Sequence, residues 1–145
     1  MVWCLDYKKT NRFLPRKLKN LLRAEGSDLL TVEMLNRVAP ILSAFDRLAK
    51  DVFLALWEPP SLDDRIVNQY ALFAPLSSPR TSLDAWLSTH PDCCRRVILP
   101  ASLKWEVRDK LDQANITERV LFPGLDGLCR WLRRYYGPRD RGPRE

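Results

Sequence analysis

One histidine, His90, stands in a chain of 145 residues, and the five glycines are scattered rather than clustered. A lone histidine cannot build a His-rich metal site, and no neighbouring nucleophile completes a triad with it. Followed by Pro91 in a polar loop, His90 reads as a plain surface side chain. The scattered glycines form no phosphate-cradling loop of either common kind, which argues against nucleotide-triphosphate hydrolysis. Cysteine is sparse too. Cys4, Cys93, Cys94 and Cys129 lack the paired short spacing of a zinc site, and the adjacent Cys93 and Cys94 point to opposite sides of an extended chain. They read as reduced thiols of a cytoplasmic protein, with neither metal nor disulfide expected. No apolar run approaches the ~20 residues that a spanning helix needs, because Lys50 and Asp51 interrupt the most apolar region, so a soluble protein with no membrane partner is expected. The opening MVWCLDYKKTNRF has no basic segment followed by an apolar one, and so does not read as a secretory signal.

What the chain does have is apolar residues, 46% of the total, enough at this length for one compact domain that buries roughly 70% of its unfolded surface. Its charge is unevenly spread. Residues 1–24 hold seven basic side chains and one acidic, residues 25–129 hold eleven and fifteen, and residues 130–145 hold six and two. Basic ends around a mildly acidic middle would attract nucleic acid through its phosphates. The candidate contacts are Arg16, Lys17, Lys19 and Arg23 near one end and Arg130, Arg133 and Arg134 near the other. The alternative is that these are solvated helix faces and a basic tail, since no aromatic residues are interleaved as in a base-stacking platform.

Val2, Trp3, Cys4 and Leu5 predict a short buried strand. Pro15 opens a helix to about Ala24, with Leu14, Leu18, Leu21 and Leu22 on one face and Gly26 as its stop. Residues 28–32 fit a strand, although Glu33, Met34 and Leu35 equally extend a helix. A helix near Pro40 would bury Ile41, Leu42, Phe45, Leu48 and Ala49. Residues 52–57 are apolar on every side and predict a central strand buried on both faces. Ser61 or Asp63 caps a short helix through about Gln69, and Asp63 and Asp64 read as charges at its N-terminus rather than as an acid and base pair. Residues 71–76 predict a strand, residues 77–80 a turn, residues 82–88 a short helix and residues 95–99 another strand. Ser102 caps a helix with Leu103, Val107 and Leu111 on one face and an i,i+4 pair between Glu106 and Lys110. After a link over residues 117–119, Pro123 opens a last helix with Leu125, Leu128, Cys129, Leu132 and Tyr136 inward and Arg130, Arg133 and Arg134 outside. The remaining PRDRGPRE predicts a disordered tail. The expected fold class is α+β, a mixed sheet flanked by helices.

RIVNQYALFAPL, residues 65–76, carries the sharpest local pattern. On a helix Arg65 and Gln69 are four apart and share a face with Asn68. A guanidinium there would fork onto a phosphate or carboxylate, and the amides would bond a planar polar edge. The structural alternative is that Arg65 meets an acidic residue and Gln69 satisfies backbone groups where the chain leaves the helix.

The series Asp64-Arg65-Ile66, Asn68-Gln69 and Leu72-Phe73, then Val97-Ile98-Leu99-Pro100, the helix from Leu103 to Leu111 and LFPGLDGL at residues 121–128 resembles the C-terminal half of the FRG domain. Trp3-Cys4-Leu5-Asp6 is similar to a strand in the middle of such domains. The likeness covers about residues 1–8 and 51–136, and LFPGLDGL is its most specific part. Ala71 stands where the family commonly has glycine, Gly124 where it commonly has an acidic residue, and the N-terminal FRG motif is missing. The resemblance therefore implies an incomplete domain, from a fragment, a mispredicted start or a split gene, with an exposed sheet edge and a missing N-terminal half as partner. It also implies that the complete domain binds or modifies a nucleotide-like ligand, to which this chain contributes Arg65, Asn68 and Gln69. The family layout is similar to that of ADP-ribosyltransferases, which makes NAD the one cofactor candidate. By that analogy Gln69 stands where those enzymes carry a catalytic glutamate, and a glutamine cannot serve as a carboxylate base.

Overall fold

The computed structural model of the chain describes residues 1–137. Its elements, in chain order, are β1 (Val2–Leu5), α1 (Tyr7–Thr10), α2 (Arg16–Glu25), β2 (Leu30–Thr31), α3 (Val32–Val38), α4 (Leu42–Asp46), β3 (Trp57–Glu58), α5 (Asp64–Asn68), α6 (Leu83–Thr89), β4 (Cys94–Val97), α7 (Lys104–Gln113), α8 (Glu118–Leu121) and α9 (Leu125–Tyr136). This is a mixed α+β fold with two small sheets. β1 pairs antiparallel with β4, Val2 opposite Val97, and β2 pairs parallel with β3, Leu30 opposite Trp57. The chain divides into two compact units, one of residues 1–60 and 72–99, the other of residues 61–71 and the chain from Pro100 onward. Among the described residues no helix is long and apolar enough to cross a membrane.

The core of the first unit gathers Leu14, Leu18, Leu22, Leu30, Met34, Phe53 and Ala55. α2 supplies Leu18 and Leu22, because leucines four residues apart return to one face, and Leu14 just before the helix joins them. Gly26, with φ 61°, then ends the helix in the left-handed region, and Gly26 and Ser27 donate back to the Arg23 and Leu22 carbonyls. A neighbouring cluster holds Leu54, Trp86, Leu87 and Cys93. Burying each large side chain is worth about 1.5–3 kcal/mol.

Several expectations change here. β1 forms as expected but is not buried, with Val2 46% and Trp3 39% exposed. Residues 53–56 are buried as expected, yet they form no continuous strand. Leu54 bridges Leu76 and Trp57 bridges Phe73, while Ala55 donates to the carbonyl of Pro75. Pro75 has no N–H to return, so the ladder breaks there and residues 71–76 form bridges only. Near Pro40 only α4 is helical; Phe45, Leu48 and Ala49 pack on the core, but Ile41 and Leu42 stay exposed. The strand and helix readings around residue 31 both hold, because Thr31 ends β2 and its hydroxyl caps α3 by accepting from Met34 N–H. His90 is not a plain surface residue. Its ring stacks on Trp86 at 4.0 Å and meets Phe13 edge-on at 4.4 Å, while Nδ1 bonds the Trp86 carbonyl at 2.8 Å. The four cysteines are free, Cys93 buried and Cys94 half-buried, in line with side chains that point apart.

In the second unit Asp63 caps α5 by accepting from Arg65 N–H at 2.6 Å. Ser102 does not cap α7; a 3-10 turn over Ala101–Leu103 leads into it with no side-chain cap. The expected pair of Glu106 and Lys110 forms at 2.7 Å. The link over residues 117–119 is instead the start of α8. Along α9 the expected inward face is open, with Leu125 78% and Tyr136 77% exposed and Leu128, Cys129 and Leu132 also on the surface. Gly127 is the contact that seats α9, since a Cβ there would overlap the carbonyl oxygens of Phe122 and Glu118. The basic tail expected over residues 137–145 lies, from residue 138 on, outside the described residues.

Candidate nucleic-acid interface

Of the basic residues near the start of the chain, the fold collects only part in one place. α2 turns Leu18 and Leu22 inward, and beside them Lys19, half-buried, and Arg23, exposed, stand four apart on one side of the helix. Lys8 and Arg12, also four apart, come from α1 and the 3-10 turn that follows it. These four line a cleft of about 490 Å³ with Asn11 and Asp28. Arg16 and Lys17, expected beside them, lie outside it.

Asp28 is the one carboxylate of the cleft. It sits 3.3 Å from Lys8 Nζ, and that bond with its charge holds the Lys8 ammonium above its ordinary range. The Asp28 backbone carbonyl accepts from Asn11 Nδ2 at 2.7 Å, which fixes the wall after Gly26. Arg12, Lys19 and Arg23 have no carboxylate within ion-pair distance among the described residues. Three unpaired cations in a concavity favour a ligand with repeated negative charge.

The basic residues of α9 behave differently from one another. Arg134 is not an outward side chain: it is 14% exposed and grips two carboxylates. Its guanidinium donates to both oxygens of Asp112, each at 2.7 Å, and to both of Glu118, at 2.6 and 2.7 Å. Those charge-assisted bonds hold both carboxyls below their ordinary range and Arg134 above its own. Arg134 thus ties α7 and α8 to α9 and is spent structurally. Arg130 and Arg133 remain, beside Arg108.

The chain matches no protein-family model, no curated protein and no solved structure.

The RIVNQ residues gather no cavity. Arg65 is exposed in the first turn of α5 with no side-chain partner among the described residues, and Asn68 is half-buried. Gln69 donates from Nε2 to the Leu121 carbonyl at 2.8 Å, which is a structural use of its amide. Among the described residues no group of three or more His, Cys, Asp or Glu side chains could hold a metal ion. Sequence reasoning missed Lys8 and Arg12 in the cleft and Arg108 beside α9. The i,i+4 spacing of Lys8 and Arg12 was a usable signal; Arg108 carried none, because only tertiary packing brings it to Arg130.

Proposed function

We propose that this chain is a binding module for the phosphate backbone of nucleic acid, acting through the cleft of Lys8, Arg12, Lys19 and Arg23. The observation that carries the reading is the concentration of three cations, without carboxylate partners among the described residues, in one concavity next to a fourth that is paired. Contacts of this kind release counterions from the nucleic acid, so affinity falls steeply with salt. Filter binding of a single-stranded and a duplex oligonucleotide over a salt series tests it. Retention that falls log-linearly with salt supports the reading, and no retention at low salt removes it.

A second reading follows the FRG resemblance, with the chain as part of a domain whose complete form binds or modifies a nucleotide-like ligand. Its support is that two stretches of the resemblance touch: Gln69 of RIVNQ is bonded to Leu121 of LFPGLDGL, the more specific of the two. The bond uses the amide nitrogen of Gln69 and not Oε1. The outer edges of β1 and β4, unpaired among the described residues, would accept strands of a further segment. Gly124 works against a literal transfer, because its φ of 108° and ψ of −177° strain any side chain, including the acidic residue common in the family. Calorimetry with NAD and ADP-ribose, on this chain alone and fused to an intact N-terminal half, separates the readings; heat in neither removes this one.

A further inference from the structure

We infer that the depression lined by Arg108, Arg130 and Arg133, with the Arg134 clamp in its wall, is a binding site for a single phosphomonoester group. It lies in the second unit and does not depend on the cleft in the first.

The argument rests on how the charges are spent. The depression is lined by four guanidinium groups and one carboxylate, Glu118. Both oxygens of Glu118 and both of Asp112 already accept from Arg134. Arg108 acts on both carboxylates through its charge alone, from beyond ion-pair distance. Arg108, Arg130 and Arg133 have no carboxylate within ion-pair distance among the described residues. Two of them are laid against rings, Arg108 5.8 Å from the centre of Trp105 and Arg130 5.9 Å from that of Phe122. Such contacts restrict the side chains without cancelling their charge.

Size and valence select the ligand. The space is about 280 Å³, just under the usual range for a drug-sized molecule, and suits one oxyanion with a short substituent. A carboxylate offers two oxygens and one charge to three guanidinium groups. A phosphomonoester offers three terminal oxygens and close to two charges above about pH 6, one oxygen for each arginine fork. The clamp supplies preorganisation, since Arg134 holds α7, which carries Arg108, against α9, which carries Arg130 and Arg133.

The test is calorimetry on the full chain with phenyl phosphate, inorganic phosphate and phenyl sulfate at pH 5 and pH 7.5. Phenyl phosphate is expected to fill one site and to bind several-fold more tightly at the higher pH, where it becomes the dianion. The charged groups around it are Arg108 and Asp112 on α7, Glu118 on α8, and Arg130, Arg133 and Arg134 on α9. The bonds from Arg134 hold the Asp112 and Glu118 carboxyls below their ordinary range, so both stay ionised across that window. Arg130→Gln with Arg133→Gln should weaken binding about tenfold or more. Arg108→Gln, on another helix, should weaken it as well, with unchanged thermal melting in each variant. Lys19→Gln with Arg23→Gln should leave it unchanged, which separates this site from the cleft. Absence of saturable binding overturns the inference, as does equal affinity for phenyl sulfate or indifference to the arginine variants. Binding of inorganic phosphate without phenyl phosphate overturns the assignment to an ester.

Discussion

Gln69 and Leu121, 52 residues apart in sequence, are joined by one hydrogen bond of 2.8 Å from the side-chain amide to the backbone carbonyl. The bond ties the end of α5 to the end of α8. The amide is thus a structural fastening, whatever else its oxygen does. Gln69→Ala should cost about 1 kcal/mol, and Gln69→Glu more, because a carboxylate has no N–H to donate and would set its negative oxygen against the Leu121 carbonyl oxygen. Urea denaturation of the two variants checks this, and equal stability of Gln69→Glu and the parent would refute it.

The Arg134 clamp predicts an acid limb in the stability curve. Asp112 and Glu118 ionise more readily folded than unfolded, so their contribution is complete above the ordinary carboxyl range and is lost as pH falls through their lowered folded values. Arg134→Met should lower stability by about 2–3 kcal/mol at pH 7 and by progressively less below about pH 4. Guanidinium melts of parent and variant between pH 2.5 and 7 give the comparison. A difference that is constant with pH would show that the clamp contributes nothing through charge.

Gly127 tests the seating of α9. Alanine there drives a methyl into the Phe122 and Glu118 carbonyls and should cost about 3 kcal/mol, at the upper end of the effect of overpacking. Gly26→Ala meets open space and pays only for its left-handed backbone, about 1 kcal/mol. Thermal melting ranks the two. The reverse order would mean that α9 is not held against α8 as described.

Legibility in the sequence tracked how local each cause is. α2 is legible to within a residue at each end because the leucine spacing lies within it and Pro15 and Gly26 flank it directly. Asp63 as a cap and the Glu106–Lys110 pair are likewise local and were legible. The α9 stripe shows the limit: periodicity finds an apolar face but carries no information on whether anything covers it. Charge alone predicts an outward Arg134. Its burial depends on Asp112 and Glu118, 22 and 16 residues away, which only packing brings to one guanidinium. The apolar composition of residues 52–57 predicts a strand, yet the proline opposite Ala55 decides the hydrogen bonding. For the site, the residue types were legible and their grouping was not. The polar side of α2 points to Lys19 and Arg23 but also to Arg16 and Lys17, which lie outside the cleft, and it says nothing of Lys8 and Arg12.

The central claim is that the cleft of Lys8, Arg12, Lys19 and Arg23 holds nucleic-acid phosphates, and fluorescence anisotropy of a labelled single-stranded oligonucleotide over a salt series measures it most directly. Each phosphate contact adds about 0.7 to the slope of log affinity against log salt for a single strand. Lys19→Gln with Arg23→Gln should therefore flatten that slope by about 1.4 and weaken binding at low salt, while Arg16→Gln with Lys17→Gln changes both much less. A parent and a Lys19/Arg23 variant with the same slope and the same affinity would contradict the account.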